Sequence, residues 1–160
     1  MSIIIKRLTL KKFKKDYKTP DVEDDFKIHT LTCDGKDTTA EDIASLAVND
    51  KKDARATLVK FLTRAATGQL FSEVFTGKQF HAGHEFTYHG KNEKIWRLWL
   101  SGNIRIYFMF LPNRIIVILK TLTKREDDIT EGEKTNLENI TKNIIDCYES
   151  NLMTIIEDES

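Results

Sequence analysis

Residues 95–122 read IWRLWLSGNIRIYFMFLPNRIIVILKTL, and this stretch decides the fold. It contains three apolar runs rich in isoleucine, leucine and aromatic residues, a composition that is typical of β-strands. The triplet SGN at 101–103 and the pair PN at 112–113 separate the runs, and both are turn sequences. The stretch therefore predicts a β-meander of three antiparallel strands.

Alternation of side chains sorts this meander into two faces. A three-residue first turn places Arg97 opposite Tyr107, and a tight turn at 112–113 then places Arg105 opposite Lys120. The predicted core face carries Trp96, Leu98, Leu100, Ile104, Ile106, Phe108, Phe110, Ile115, Val117 and Leu119. The opposite face, which we call the mixed face, carries Arg97, Trp99, Arg105, Tyr107, Met109, Ile116, Ile118, Lys120 and Leu122. A slip of one residue in the second turn would move the third strand to the opposite face.

Helices are predicted before and after the meander. Thr38 or Thr39 opens a first helix with a capping pattern, and Asp50 caps a second, so the two form a helical hairpin. Thr130 and Glu133 form a capping box at the start of a long C-terminal helix. Its apolar stripe consists of Leu137, Ile140, Ile144, Tyr148, Leu152 and Ile155.

These elements predict an α+β fold, in which an antiparallel meander packs against an N-terminal helical hairpin and a long C-terminal helix. Alternating apolar residues predict two further strands, at 3–13 and 26–33. The chain has 160 residues, which is enough for one domain with its own core. We divide it into a strand-rich extension at 1–35 and a main domain at 36–160, which together form one compact unit.

Composition restricts the classes of function. Lys and Arg total 25 and Asp and Glu total 25, so the formal net charge is zero and nucleic acid could be bound only by a local patch. The two cysteines, Cys33 and Cys147, are far apart and indicate a reducing compartment rather than a disulfide framework. No apolar run approaches the roughly 20 residues of a membrane helix. We expect a soluble, cytoplasmic protein with no membrane partner.

The mixed face is the strongest candidate for a functional site. Arginine, lysine and tyrosine side chains on one sheet face can hold a phosphodiester and stabilise its developing negative charge. Trp99 and Tyr107 offer surfaces on which a base could stack, worth ~1–3 kcal/mol per base. The alternative is that an arginine beside a tryptophan forms only a cation–π pair on a solvated surface.

The histidines of residues 81–89 are the candidates for proton transfer. His81, His84 and His89 have a loose metal-ligand spacing, but no cysteine or carboxylate set completes a zinc pattern, so we expect neither a metal nor another cofactor. A histidine from this segment could serve as general base or acid, because imidazole suits proton transfer near neutral pH. The alternative is that these are ordinary surface histidines.

Residues from about 52 to 145 resemble the RelE/HigB/ParE-like toxins of bacterial toxin–antitoxin systems. The stretch IWRLWLSGNIRIYF at 95–108 is similar to the central hairpin of that family. The stretch IIVILKTLTK at 115–124 is similar to the next strand, which in the family runs into a basic pair, here Lys124 and Arg125. The resemblance implies that residues 36–160 form a RelE-like toxin domain.

The resemblance also implies a function. The ribonuclease branch of the family cleaves messenger RNA without a metal, usually on the ribosome, and so inhibits translation until an antitoxin protein neutralises it. The catalytic residues that it implies are Arg97, Arg105, Tyr107 and Lys120, and the RNA-binding residues are Trp99, Lys124 and Arg125. Since Lys120 stands where many members have a histidine, His81 and His84 are candidate general bases. The alternatives are a toxin of the same fold that inhibits a protein such as DNA gyrase, and a non-catalytic protein-binding module.

Overall fold

A computed structural model describes residues 3–13, 26–67, 71–100, 102–123 and 129–157 of the chain. The strands are β1 (Ile3–Arg7), β2 (Lys27–Cys33), β3 (Lys36–Asp37), β4 (Phe80–Tyr88), β5 (Lys91–Leu98), β6 (Ile104–Leu111), β7 (Ile115–Thr123) and β8 (Met153–Ile156). The helices are α1 (Thr38–Ala44), α2 (Val48–Thr67), α3 (Phe71–Val74) and α4 (Glu131–Glu149), and a short 3₁₀ turn spans Leu10–Lys12.

The strands of the described chain form a single mixed sheet. Its order is β4-β5-β6-β7-β2-β1-β8, with β3 paired to β2. β4 to β7 are antiparallel neighbours, whereas β2 runs parallel to β7 and β8 runs parallel to β1. The fold is α+β, but the predicted simple antiparallel meander with an N-terminal helical hairpin and a C-terminal helix is wrong. The meander is one half of a larger sheet. Along the chain, the short α3 lies between the helical pair, α1 and α2, and the meander.

The N-terminal strands complete this sheet. β2 lies between β7 and β1, so residues from the predicted extension at 1–35 occupy interior positions of the sheet. Ile28 is 1% exposed and Ile5 is fully buried. β7 is apolar on both faces and would be a long unpaired edge without β2, a liability that proteins avoid. β2 and β7 pair although their residues are about 90 positions apart in the sequence, as for Lys27 and Ile115. Alternation within a short segment does not reveal such a pairing.

The first hairpin of the meander has the predicted register. Trp96 pairs with Phe108, Arg97 with Tyr107 and Leu98 with Ile106. Leu98, Ile106 and Phe108 of this face are fully buried in the core that α2 covers, and Trp96, Leu100 and Phe110 pack against it partly buried. The predicted core face is therefore confirmed for these two strands.

The second turn differs from the prediction by one residue. Leu111 pairs with Ile115, so the loop comprises residues 112–114 rather than 112–113. Asn113 and Arg114 both adopt positive φ, at 67° and 60°, which allows the tight three-residue reversal. The third strand is consequently flipped. Ile116 and Ile118 lie with the α2-side core, whereas Ile115, Val117 and Leu119 lie on the opposite side.

Helices cover both faces of the sheet. Leu58, Phe61 and Leu62 of α2 pack on one side. On the other side α4 contributes Leu137 and Ile144, which pack with Tyr107, Met109, Val117 and Leu119. Burial of each large apolar side chain stabilises the fold by roughly 1.5–3 kcal/mol. Most of the predicted mixed face is therefore buried core under α4. The part of this face next to the start of α4 forms a cleft.

Capping sets the start of the helices. Asp37, rather than a threonine, caps α1 and accepts a hydrogen bond from the Ala40 amide at 3.0 Å. The predicted capping box of Thr130 and Glu133 opens α4. α4 ends at Glu149, and Asn151 then turns the chain with φ at 57°. The predicted helical positions Leu152 and Ile155 therefore lie outside α4, and β8 follows instead. Within the described residues, no helix has the length and apolar character needed to span a lipid bilayer.

Gly102, in the turn of the first hairpin, lies close to Asp53 of α2. Its φ is +75°, and a Cβ there would lie 2.5 Å from Asp53 Oδ2 of α2. We expect Gly102→Ala to lower the free energy of unfolding by about 1–2 kcal/mol, because the left-handed conformation disfavours a side chain and Asp53 must move. Urea unfolding checks this. Gly132→Ala is the matched control, since a Cβ there meets nothing within 4 Å. An equal loss in both variants would contradict the explanation.

Candidate active site

A cleft of about 690 Å³ lies where β4, β5 and β6 pass the N-terminal end of α4. Its polar and aromatic lining consists of Lys78, His81, His84, Arg97, Trp99, Arg105, Tyr107 and Lys134, with Gly77, Gly83 and Ile129 completing the wall. Four of these described side chains are cationic and none is a carboxylate. In a chain of zero net charge, the cleft is thus the kind of local basic patch that an anionic ligand requires.

The structure brings together six of the predicted site residues. Arg97, Trp99, Arg105, Tyr107, His81 and His84 all line the cleft. Lys78 and Lys134 line it as well and were not predicted, because nothing in the local pattern links them to the sheet. For Lys134 the sequence offered one indirect signal. It lies four residues after the Thr130 cap, and the start of that helix lies over the mixed face.

Lys120 lies outside the lining of the cleft. A bulge between Tyr107 and Phe108 shifts the register, so Lys120 pairs with Tyr107, and Arg105 pairs with Leu122. The predicted pairing of Arg105 with Lys120 is therefore wrong. The Lys120 ammonium lies 3.6 Å from the Asp42 carboxylate of α1. The predicted RNA-binding residues Lys124 and Arg125 fall outside the described residues.

A bulge at Gly83 places both histidines in one cleft. His81 pairs with Arg97 and His84 with Ile95, so Gly83 is an extra residue in β4. Residues three apart in a regular strand point to opposite faces, and one inserted residue brings them to the same face. A Cβ at Gly83 would lie 3.1 Å from the Arg97 Cβ, so a glycine suits this position. A glycine inside a strand pattern was the signal for the bulge.

Arg97 and His81 form a short polar contact in the cleft. Arg97 Nη2 donates to His81 Nε2 at 2.7 Å. A guanidinium can only donate, so Nε2 carries a lone pair and the ring proton is on Nδ1. Nδ1 in turn donates to the Ala82 carbonyl oxygen at 3.1 Å. His81 is therefore a neutral imidazole in this arrangement, and both of its ring nitrogens are engaged.

The first hairpin turn holds Arg105 and Trp99. Arg105 Nη1 donates to the carbonyl oxygens of Gly102 at 3.3 Å and Ile104 at 3.2 Å. Trp99 Nε1 donates to the same Gly102 oxygen at 2.8 Å, and the Arg105 guanidinium lies 4.7 Å from the Trp99 ring centre. The cation–π pair of the alternative interpretation exists. However, Arg105 is only 7% exposed and Trp99 is partly buried, so the pair is part of the cleft wall rather than a fully solvated surface contact.

Tyr107 is a buried phenol at the floor of the cleft. It is 1% exposed, and burial raises its pKa to about 12, although the nearby charges of Arg97 and Arg105 act in the opposite direction. Arg97 lies close enough to influence the phenol, but no well-aligned hydrogen bond satisfies the hydroxyl within the described residues. Tyr107 is therefore protonated at neutral pH and can donate a hydrogen bond or a proton to a ligand.

The raised pKa of Tyr107 predicts a loss of stability in alkali. Below pH 10 the phenol is protonated in both the folded and the unfolded chain. Between pH 10 and about pH 12 only the unfolded chain ionises it, so stability falls as pH rises, by roughly 2 kcal/mol at pH 11.5. Urea unfolding of the parent and of Tyr107→Phe at pH 9 and pH 11.5 measures this. An equal drop in both proteins would contradict the assignment.

A histidine–carboxylate pair spans the cleft wall. His84 Nε2 lies 3.0 Å from Glu138 Oε1 of α4, and both side chains are partly buried. Lys134, one turn earlier on α4, lies 3.2 Å from Glu131 Oε1. α4 therefore supplies the cation Lys134 and the carboxylate of Glu138, β4 supplies the histidine of the pair, and Lys78 comes from the turn before β4.

No protein-family model, curated protein or solved structure matches the chain. The resemblance to the toxin superfamily therefore rests on the sequence of residues 52–145 alone and stays a prediction.

Proposed function

We propose that the chain is a metal-independent endoribonuclease that binds the RNA backbone in this cleft. The observation that carries the proposal is that Lys78, Arg97, Arg105 and Lys134 line the cleft, with no carboxylate among the described lining residues, beside two imidazoles and a protonated phenol. Guanidinium groups match phosphate oxygens in geometry and charge. Trp99 at the rim provides a surface on which a base can stack.

The chemistry uses the RNA's own 2′-hydroxyl. An imidazole of the cleft removes its proton, and the 2′-oxygen attacks the phosphorus as the bond to the 5′-oxygen breaks. Arg97 and Arg105 stabilise the negative charge that builds up on the phosphate oxygens. The Tyr107 phenol gives its proton to the departing 5′-oxygen. The products are a 2′,3′-cyclic phosphate and a 5′-hydroxyl, and no external reagent is consumed.

The cellular role that we propose is that of a toxin in a toxin–antitoxin system. It cleaves messenger RNA, on the ribosome as in the resembling family, and an antitoxin protein blocks it. Support comes from the resemblance of residues 52–145 and from the basic cleft, and the mixed sheet adds no support. Cys33 and Cys147 form no disulfide, which suits a reaction in the cytoplasm.

Cleavage of purified RNA tests the chemistry. The protein is incubated with an RNA of mixed sequence in excess EDTA, and the ends of the products are mapped. We expect fragments with 2′,3′-cyclic phosphate and 5′-hydroxyl ends from the parent and from Lys91→Ala, an exposed lysine at the start of β5. Intact RNA, both free and on ribosomes, would refute the proposal.

Induction in cells tests the role. A toxin of this kind stops growth and shortens messenger RNA within minutes. Blocked DNA supercoiling with intact messenger RNA would instead identify a gyrase-type toxin. Unimpaired growth with intact RNA would identify a protein-binding module.

A further inference from the structure

We infer that His84 is the general base of this cleft and that Glu138 is its positioning residue. The inference rests on the proposed ribonuclease function and deepens it. The resemblance and the sequence leave His81 and His84 equivalent, and neither assigns a role to Glu138. The hydrogen bonds of the two rings separate them.

His81 has no ring nitrogen left for a substrate. Its Nε2 accepts from Arg97 at 2.7 Å and its Nδ1 donates to the Ala82 carbonyl oxygen at 3.1 Å. To take a proton on Nε2, His81 would first have to lose its hydrogen bond from the Arg97 guanidinium. His81 therefore fits the task of orienting Arg97, a second positioning role.

His84 has one ring nitrogen engaged and one available. Its Nε2 lies 3.0 Å from Glu138 Oε1, and Nδ1 makes no hydrogen bond within the described chain. A carboxylate can only accept, so Nε2 carries a proton, and in the neutral ring the lone pair is then on Nδ1. A general base needs this arrangement, in which one nitrogen is anchored to a carboxylate and the other is ready to accept.

The Gly83 bulge and α4 together make the pair. The bulge turns His84 into the cleft beside Arg97 and Tyr107, and α4 brings Glu138 to the ring from the opposite wall. The proton path is then complete. Nδ1 of His84 takes the 2′-hydroxyl proton, the imidazolium is stabilised by Glu138, and the phenol of Tyr107 supplies the proton to the leaving oxygen. Proton exchange with water then returns the imidazolium and the phenolate to their starting forms.

Two measurements on the full chain test the inference. Ring ¹⁵N NMR reports which nitrogen of His84 carries the proton, independently of any activity. Steady-state cleavage of an RNA in EDTA gives kcat and KM for the parent, Glu138→Ala, His84→Ala and the double variant. Glu138→Gln keeps the acceptor oxygen without the charge, and Glu149→Ala, an exposed carboxylate at the end of the same helix, is the matched control.

The expected result is a proton on Nε2 in the parent and a loss of that preference in Glu138→Ala. In the same variant kcat falls on the order of 10²-fold with KM nearly unchanged. Glu138→Gln retains the ring preference and part of the rate. Glu138→Ala costs nothing further when His84 is already alanine, because the carboxylate acts only through the ring.

Three outcomes would overturn the inference. One is an unchanged ring proton in Glu138→Ala, and another is an equal loss of rate from Glu138→Ala with and without His84. The third is a full rate in Glu138→Ala while the parent cleaves RNA. If the parent cleaves no RNA, the ribonuclease proposal fails by itself, and the NMR result still decides whether Glu138 sets the state of the His84 ring.

Discussion

Arg97→Ala should lower kcat for RNA cleavage by about 10²–10³-fold while the protein remains folded. The guanidinium lies in the cleft beside the Tyr107 phenol and is oriented by His81. Removing one donor that stabilises charge in a transition state costs about 3–4 kcal/mol, which corresponds to that loss of rate. Initial rates on an RNA oligonucleotide in EDTA measure it.

Two further variants sharpen this prediction. Arg97→Lys keeps the charge but loses the planar fork, so we expect only partial recovery of the rate. Lys91→Ala removes one positive charge from the far end of the same strand and should cleave at the parent rate. A parent-like rate in Arg97→Ala, or an equal loss in Lys91→Ala, would contradict the role given to Arg97.

Phe108→Ala should remove about 3–5 kcal/mol from the free energy of unfolding. Phe108 is fully buried, and its ring centre lies 5.0 Å from that of Phe61 in α2 and 5.4 Å from that of Phe80 in β4. The residue thus joins the meander to the helical layer, and truncation leaves a cavity on that side. Urea unfolding followed by tryptophan fluorescence measures the change.

The control for this prediction is Phe86→Ala. Phe86 is only partly buried on β4 and packs on the α4 side of the sheet. It should cost clearly less than Phe108→Ala, because solvent already reaches the ring. Similar losses in the two variants would show that Phe108 is not the junction between sheet and helix that its contacts indicate.

Local pattern in the sequence was sufficient for the first hairpin. The turn at 101–103 and strict alternation fixed Arg97, Trp99, Arg105 and Tyr107 on one face, and the structure gathers all four in the cleft. The capping box at Thr130 was also predictable, because both hydrogen bonds of that motif are local. These features depend on residues within a few positions of one another.

Features that depend on distant pairing or on backbone irregularity were not predictable. The second turn required left-handed conformations at Asn113 and Arg114, which shifted the third strand by one residue. The bulge at Gly83 places His84 in the cleft. The bulge beside Tyr107 moves Lys120 further out of register with Arg105. The contribution of Glu138 depends on how α4 crosses the sheet, which is set by packing over the whole domain.

Binding of the RNA phosphate backbone by the cleft can be measured without cleavage. Fluorescence anisotropy with a 2′-O-methyl oligonucleotide, which cannot be cleaved through its 2′-position, measures this binding as a function of salt. We expect log K for the parent to fall with log salt at a slope on the order of −2 to −3, as for three or four phosphate contacts on a single strand. The variant Lys78→Ala/Arg97→Ala/Lys134→Ala leaves Arg105 as the one cation of the four and should bind at least tenfold more weakly, with a slope of about −0.7. An unchanged affinity and slope in that variant would contradict the account.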